Sequence, residues 1–211
     1  LGAFVVDGGA RGLERSALAS FDRTRRIARV AFDDVAAAPL GTPGDDGPAI
    51  ERALDRATAL LCAEMLGAME CVIETAVAYA RERKQFGRAI GSFQAVKHKA
   101  ADLWIALEAS RSLVDQAVES AALAPDALPL DASAAKSFLS DAFVHAGREN
   151  IQIHGGVGFT WEYDAHLYLR RASSSATLLG DARWHRERIA RLVGIDASGE
   201  RGPSAGGDTD A

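Results

Sequence analysis

From about Ala49 to Arg83 the chain carries one uninterrupted helical pattern, with Leu61, Met65, Val72, Ala76 and Tyr79 at three- and four-residue spacing. A helix of that length reaches ~50 Å, and its apolar stripe needs partners along most of that distance. The rest of the sequence supplies them. A second helix is expected from about Ser92, through Leu103, Trp104, Leu107 and Leu113, to about Ala121. The segment "APDALPLD" then breaks the pattern with two prolines. A third helix is expected from about Ala132 to His154, where Gly155 and Gly156 stop it. A fourth follows over roughly Tyr163 to Leu179. The last begins after Asp181, a good N-cap, and ends by Gly194. The expected fold is mainly α, a four-helix-bundle-type domain over residues 49–195.

Ahead of the bundle the signals are extended. "GAFVV" runs into a "DGG" turn, and "ARVAF" alternates before Asp33 and Asp34. Residues 1–40 are expected to hold the last strands of a β-domain. "GTPGDDGP", residues 41–48, reads as a linker with two prolines and three glycines. Residues 196–211 have the composition of a disordered tail. The start at Leu1, without an initiator methionine, suggests a fragment.

The net charge of −5 argues against bulk nucleic-acid binding. No apolar run approaches the ~18 residues of a membrane span, and no basic-then-apolar leader opens the chain. Cys62 and Cys71 lie on opposite faces of one helix at ~100° per residue, so they are not expected to pair. A reduced, cytoplasmic setting follows as the expectation.

The stretch "RERKQFGRAIGSFQ", Arg81 to Gln94, is richer than a helix-to-helix turn requires. Ser92 is a plausible N-cap for the second helix, whose first turn presents unpaired N–H groups and the positive end of its dipole. Arg81, Arg83, Lys84 and Arg88 surround that end, which favours an anion, most plausibly a phosphate. Gln85 and Gln94 offer amides to a base or ribose, and Phe86 an apolar face. The alternative is a basic helix end that complements its own dipole. The stretch "QIHGGVGF", Gln152 to Phe159, permits close backbone approach at its glycines, though a helix stop explains them equally.

Together these two stretches, with "LYLRRASSSATLLGD", resemble the C-terminal half of the acyl-CoA dehydrogenase family. The resemblance covers nearly all of the chain except the tail. It implies FAD as cofactor, bound largely across a subunit interface. Arg83 would face the flavin pyrophosphate, Gln85, Phe86 and Gln94 the adenosine-diphosphate end. Gln152, Gly155 and Gly156 would approach the FAD of a neighbouring subunit. It further implies an acyl-CoA substrate, α,β-dehydrogenation, dimers or tetramers built through the C-terminal helices, and an electron-transfer flavoprotein as electron acceptor.

One departure concerns the base. In relatives a glutamate removes the α-proton, and it needs hydrogen-bond reach and a raised pKa. The matching motif here reads "LLGD", so Leu179 stands at the glutamate's place. The other position some relatives use falls on Ala57. Neither side chain takes a proton. Asp181, at the motif's threonine, is read as the cap of the last helix. Glu64 interrupts the apolar run "ALLCAEMLGAM" and returns to nearly the face of Ala57, about 10 Å along the axis. It is either a buried base or, by the commoner pattern, a carboxylate paired with an arginine or a backbone group. Glu70 and Glu74 are expected on a solvated face, His98 and His154 in packing roles. Ser173 to Ser175 lack a nucleophile elbow.

Three readings follow from the resemblance. The chain is part of a dehydrogenase with its base elsewhere, a non-catalytic partner subunit of a heteromeric dehydrogenase, or a flavin-free helical assembly module.

Overall fold

The computed structural model describes residues 1–42 and 44–195. The tail expected at 196–211 lies outside them. The order of elements is β1 (Ala3–Val5), β2 (Leu13–Ala17), β3 (Ala28–Phe32), β4 (Ala38–Leu40), α1 (Gly47–Glu82), β5 (Lys84–Gln85), β6 (Arg88–Ala89), α2 (Gln94–Leu123), α3 (Leu128–His154), α4 (Ala165–Thr177) and α5 (Ala182–Leu192). The expected bundle is present: α1 to α4 enclose one core, and α5 packs on α3.

α1 is 36 residues long, ~54 Å at 1.5 Å per residue. Its buried Cys62, Met65, Met69 and Val72 form the stripe that meets Leu103 and Leu107 of α2 and Leu139 and Phe143 of α3. Two of the four prolines expected to lie outside helices instead start them. Pro48 and Pro129 sit in the first turns of α1 and α3, where the missing N–H has no intrahelical acceptor to lose. α3 therefore begins four residues earlier than the pattern suggested. Gly147 sets the α3–α4 approach, since a Cβ there would lie 3.1 Å from Leu169 Cα.

Asp181 caps α5 as expected, accepting the Trp184 N–H at 2.7 Å. Replacing it with alanine removes that bond, and Asp181→Ala is expected to lower stability by about 1 kcal/mol in urea melts.

The N-terminal strands form two separate antiparallel ribbons, β1 with β4 and β2 with β3. β2 and β4 were not foreseen, because "LERSA" and "APL" show no clear alternation. Phe4, Val5, Val30 and Phe32 stay exposed. Two-stranded ribbons hold little stability of their own, so these depend on the bundle. Ala3 N–H donates to Asp46 at 2.9 Å. In the β2–β3 loop, Arg25 makes two 2.9 Å bonds to Glu64, and Thr24 accepts from Arg171 at 3.0 Å.

Both cysteines are free, Cys62 buried and Cys71 half-buried against the Tyr168 hydroxyl at 3.0 Å. Among the described residues no helix is long and apolar enough to cross a membrane.

Candidate functional site

The basic stretch is not a simple turn. α1 ends at Glu82, Arg83 is extended, and β5 and β6 pair as Lys84 with Ala89 and Gln85 with Arg88. That register leaves a two-residue loop, Phe86–Gly87, with φ of 53° and 79°. Two consecutive positive φ values are the signature of a type I′ hairpin. Glycine adopts this freely, whereas an aromatic at φ +53° is strained. Phe86 receives little packing in return, being 91% exposed with only an edge contact to Phe93, centroids 6.1 Å apart. Strain without local compensation is typical of a presented, functional side chain.

Arg81, Arg83, Lys84 and Arg88 are all exposed. Among the described residues, none of the four forms an ion pair, although the bundle holds ion pairs elsewhere. Arg88 rests over the Phe93 ring at 4.0 Å. Ser92 is not the N-cap of α2. It lies in a 3-10 turn, Ile90–Ser92, donating to the Ala89 carbonyl at 2.7 Å, while Phe93 occupies the cap without a side-chain bond. The first N–H groups of α2 thus lack the side-chain cap expected for them. Gln94, beginning α2, is exposed.

The double-glycine segment sits at this same end of the bundle. α3 stops at Gly155, φ +65°, and a Cβ on either Gly155 or Gly156 would meet nothing within 4 Å. Gly155 is therefore explained by its backbone, Gly156 by neither backbone nor crowding within this chain. Gln152 is exposed. Tyr79 of α1 stacks on His154, centroids 4.2 Å apart, and its hydroxyl donates to the His154 carbonyl at 3.4 Å. A cavity of about 220 Å³ between Ala80, Arg81, Gly91, Val96 and Ile153 joins the two segments. His154 is buried as expected, with Nδ1 bonded to the Asn150 carbonyl at 2.8 Å. His98, by contrast, is exposed rather than packed.

The remaining expected positions lie along the N-terminal half of α1. Leu179 joins Leu54, Thr58, Trp184 and His185 around an open cavity of about 780 Å³. Ala57, beside Thr58, is half-buried. Leu179 has φ +58° and Gly180 +100°, so the turn that carries the former is strained as well. It is held from several sides. Lys136 of α3, with no exposed surface, donates to the Ala176 carbonyl at 3.0 Å, the Gly180 carbonyl at 2.8 Å and Ser140 Oγ at 3.0 Å. Burial lowers its ammonium pKa below the usual lysine range. His185 Nε2 donates to the Leu179 carbonyl at 3.0 Å, and burial pushes its pKa down to about 4.

The sequence offered one cue to Lys136, a lone cation on the stripe of Ala132, Ala135 and Leu139. It offered none to His185. Two carboxylates border this cavity, Glu51 and Asp55, and Asp55 is tied to Arg188 through both oxygens. Glu64 is not a buried base. It is 42% exposed and clasped by Arg25 at 2.9 Å and Arg171 at 2.8 Å. Glu70 is likewise paired, with Arg111 at 2.8 Å, and Glu74 is exposed. Ser173 donates to the Leu169 carbonyl within its helix.

The family model described as "Acyl-CoA dehydrogenase, C-terminal domain" matches residues 45–194. Acyl-CoA dehydrogenase IpdE2 of Mycobacterium tuberculosis is 42% identical over 166 residues, 79% of this chain and 48% of that protein. Among solved structures, the steroid ACAD variant Tcur3481-Tcur3483 aligns with a TM-score of 0.83 at 31% identity, over 91% of this chain and 51% of that one. Butyryl-CoA dehydrogenase from Megasphaera elsdenii aligns with a TM-score of 0.84 at 28% identity, over 91% and 51% of the two chains. The chain spans about half the length of the curated relatives it matches. It belongs to the acyl-CoA dehydrogenase family, with residues 45–194 forming its C-terminal helical domain.

Proposed function

We propose that this chain contributes part of the FAD site of an acyl-CoA dehydrogenase and leaves the α-proton to a base on another chain or segment. The observation that carries this reading is a contrast between the two ends of α1. One end presents four basic side chains that form no ion pair among the described residues and a strained, exposed Phe86, while the positions of the usual bases hold Leu179 and Ala57.

The donors present suit FAD. Guanidinium groups without carboxylate partners match a pyrophosphate, and Arg83 is assigned that contact. Gln85 and Gln94 offer amides beside it, and the Phe86 ring an apolar face for the adenosine. Gln152, Gly155 and Gly156 have the open space a second subunit's FAD requires. When bound, FAD supplies the hydride acceptor for α,β-dehydrogenation of an acyl thioester. From Ala57 to its end at Glu82 the helix rises ~38 Å, farther than one dinucleotide reaches. The two ends of α1 therefore serve different flavins, which favours a dimer or tetramer joined through the helices.

A second reading, the non-catalytic subunit of a heteromeric dehydrogenase, draws support from Leu179. Its side chain packs against the apolar core, so the turn is occupied by packing where a base is needed. A flavin-free assembly module fits less well, because it leaves the strain at Phe86 without a purpose. An electron-transfer flavoprotein as acceptor and a cytoplasmic location complete the proposal.

The isolated 211-residue chain is expected to hold FAD at the hairpin weakly or not at all and to show no turnover. The longer protein, co-purified with its native companions, is expected to be yellow, and Arg83→Ala to reduce its FAD content about tenfold or more. Unchanged flavin content in that variant would refute the assignment. Turnover that requires a base-bearing second chain would select the heteromeric reading.

A further inference from the structure

We propose that the surface formed by Phe21, Arg23, Trp161 and Arg170 binds a phosphorylated nucleoside, at a place separate from the Arg83 hairpin. Trp161 is 66% exposed and Phe21 62% exposed. The guanidiniums of Arg23 and Arg170 lie 5.6 and 5.3 Å from the centre of the indole, and Arg170 also lies 4.9 Å from the Phe21 ring. Among the described residues neither arginine forms an ion pair. Glu162 and Asp164, close by in sequence, pair with neither.

The patch is held in place rather than trailing in solvent. Arg170 donates to the Phe21 carbonyl at 3.4 Å. His166, buried, packs edge-on to the indole with centroids 4.5 Å apart. On one side of Trp161, Thr160 donates its hydroxyl to the Val157 carbonyl at 2.8 Å; on the other, Tyr163 packs against His154 and Tyr79.

Exposed cation–aromatic contacts add little in water. They do not by themselves explain why two guanidiniums and two aromatic rings are gathered from separate elements and left open. A ligand with a planar ring and a phosphate uses all four groups: the rings stack on the base, and the guanidiniums take the phosphate oxygens through paired N–H donors. The adenosine diphosphate of coenzyme A and that of FAD both have this chemistry. This inference does not depend on the function proposed above, since none of the four residues was assigned to the flavin.

The test is tryptophan fluorescence of the purified 211-residue chain titrated with ADP, coenzyme A, FAD and inorganic phosphate. ADP is expected to quench saturably, and phosphate alone, lacking a ring, to have no effect. Trp161→Phe, a substitution at an exposed site, is expected to abolish the quench while circular dichroism stays unchanged. Arg23→Ala and Arg170→Ala are each expected to weaken ADP about tenfold. Coenzyme A binding more tightly than FAD would assign the site to the thioester carrier, and the reverse order to the flavin nucleotide. No saturable quench, or a quench that survives Trp161→Phe, would overturn the proposal. The second of these would move the binding away from this surface and leave the flavin reading standing.

Discussion

Asp55→Ala is expected to lower the unfolding free energy of this chain by about 3–5 kcal/mol. Asp55 is 3% exposed, and Arg188 reaches it from α5 with two nitrogens, Nη2 to Oδ2 at 2.9 Å and Nη1 to Oδ1. The hydrogen bond to Asp55 is the main cause that raises the Arg188 pKa above its ordinary value. Removing the carboxylate leaves a half-buried guanidinium with Ser133 Oγ, at 3.3 Å, as its remaining bond within the described chain. An uncompensated charge in such a place costs far more than the intact pair contributes. The double variant Asp55→Leu with Arg188→Met is therefore expected to recover most of the loss. Urea unfolding followed by circular dichroism measures both. A loss under about 1 kcal/mol in the single variant would show that α5 is not anchored by this pair.

The second large effect is acid sensitivity through His185. Its imidazole is 1% exposed, donates from Nε2 to the Leu179 carbonyl, and has an Nδ1 without a partner among the described residues. Burial is the main cause that lowers its pKa to about 4, from 6.5. The folded state thus prefers the neutral ring more strongly than the unfolded chain does. This contribution is complete above pH ~6.5 and is lost as the pH falls from there through about 4, because only the unfolded chain gains the proton readily. At 1.36 kcal/mol per pKa unit the loss amounts to about 3 kcal/mol. His185→Gln retains an Nε2 donor for the Leu179 carbonyl and has no titration in this range. Urea melts at pH 7 and pH 4 should therefore differ by about 3 kcal/mol less in the variant than in the natural chain. Equal pH dependence in the two would place the acid sensitivity elsewhere.

These two effects arise around a turn whose residues drew attention only for what they lack. Leu179 and Asp181 were legible from their resemblance to a catalytic motif, and Asp181 does cap α5 as its residue type suggests. Lys136 and Arg188, which hold that turn and that helix, carry no local signal of those partners. Their partners lie 44 and 133 positions away in sequence, and no local period encodes such a distance. Glu64 shows the same limit. Its interruption of an apolar run raised the question of a base, and Arg25 and Arg171, brought in from two other segments, answered it as an ion pair.

What the chain's own order of residues determined was everything governed by neighbours along it. That includes the number of long helices, their apolar stripes, the stop at Gly155, the cap at Asp181 and the gathering of basic residues after α1, because helix periodicity and capping act within one or two turns. Tertiary structure alone decided that the basic hairpin and the double glycine share one end of the bundle while Leu179 faces the N-terminal half of α1. It also decided that Phe86 stays exposed, with little packing to offset its strain. Each of these depends on which surfaces α1, α3 and α4 bury against one another, a choice made by packing over distances that local propensity does not reach.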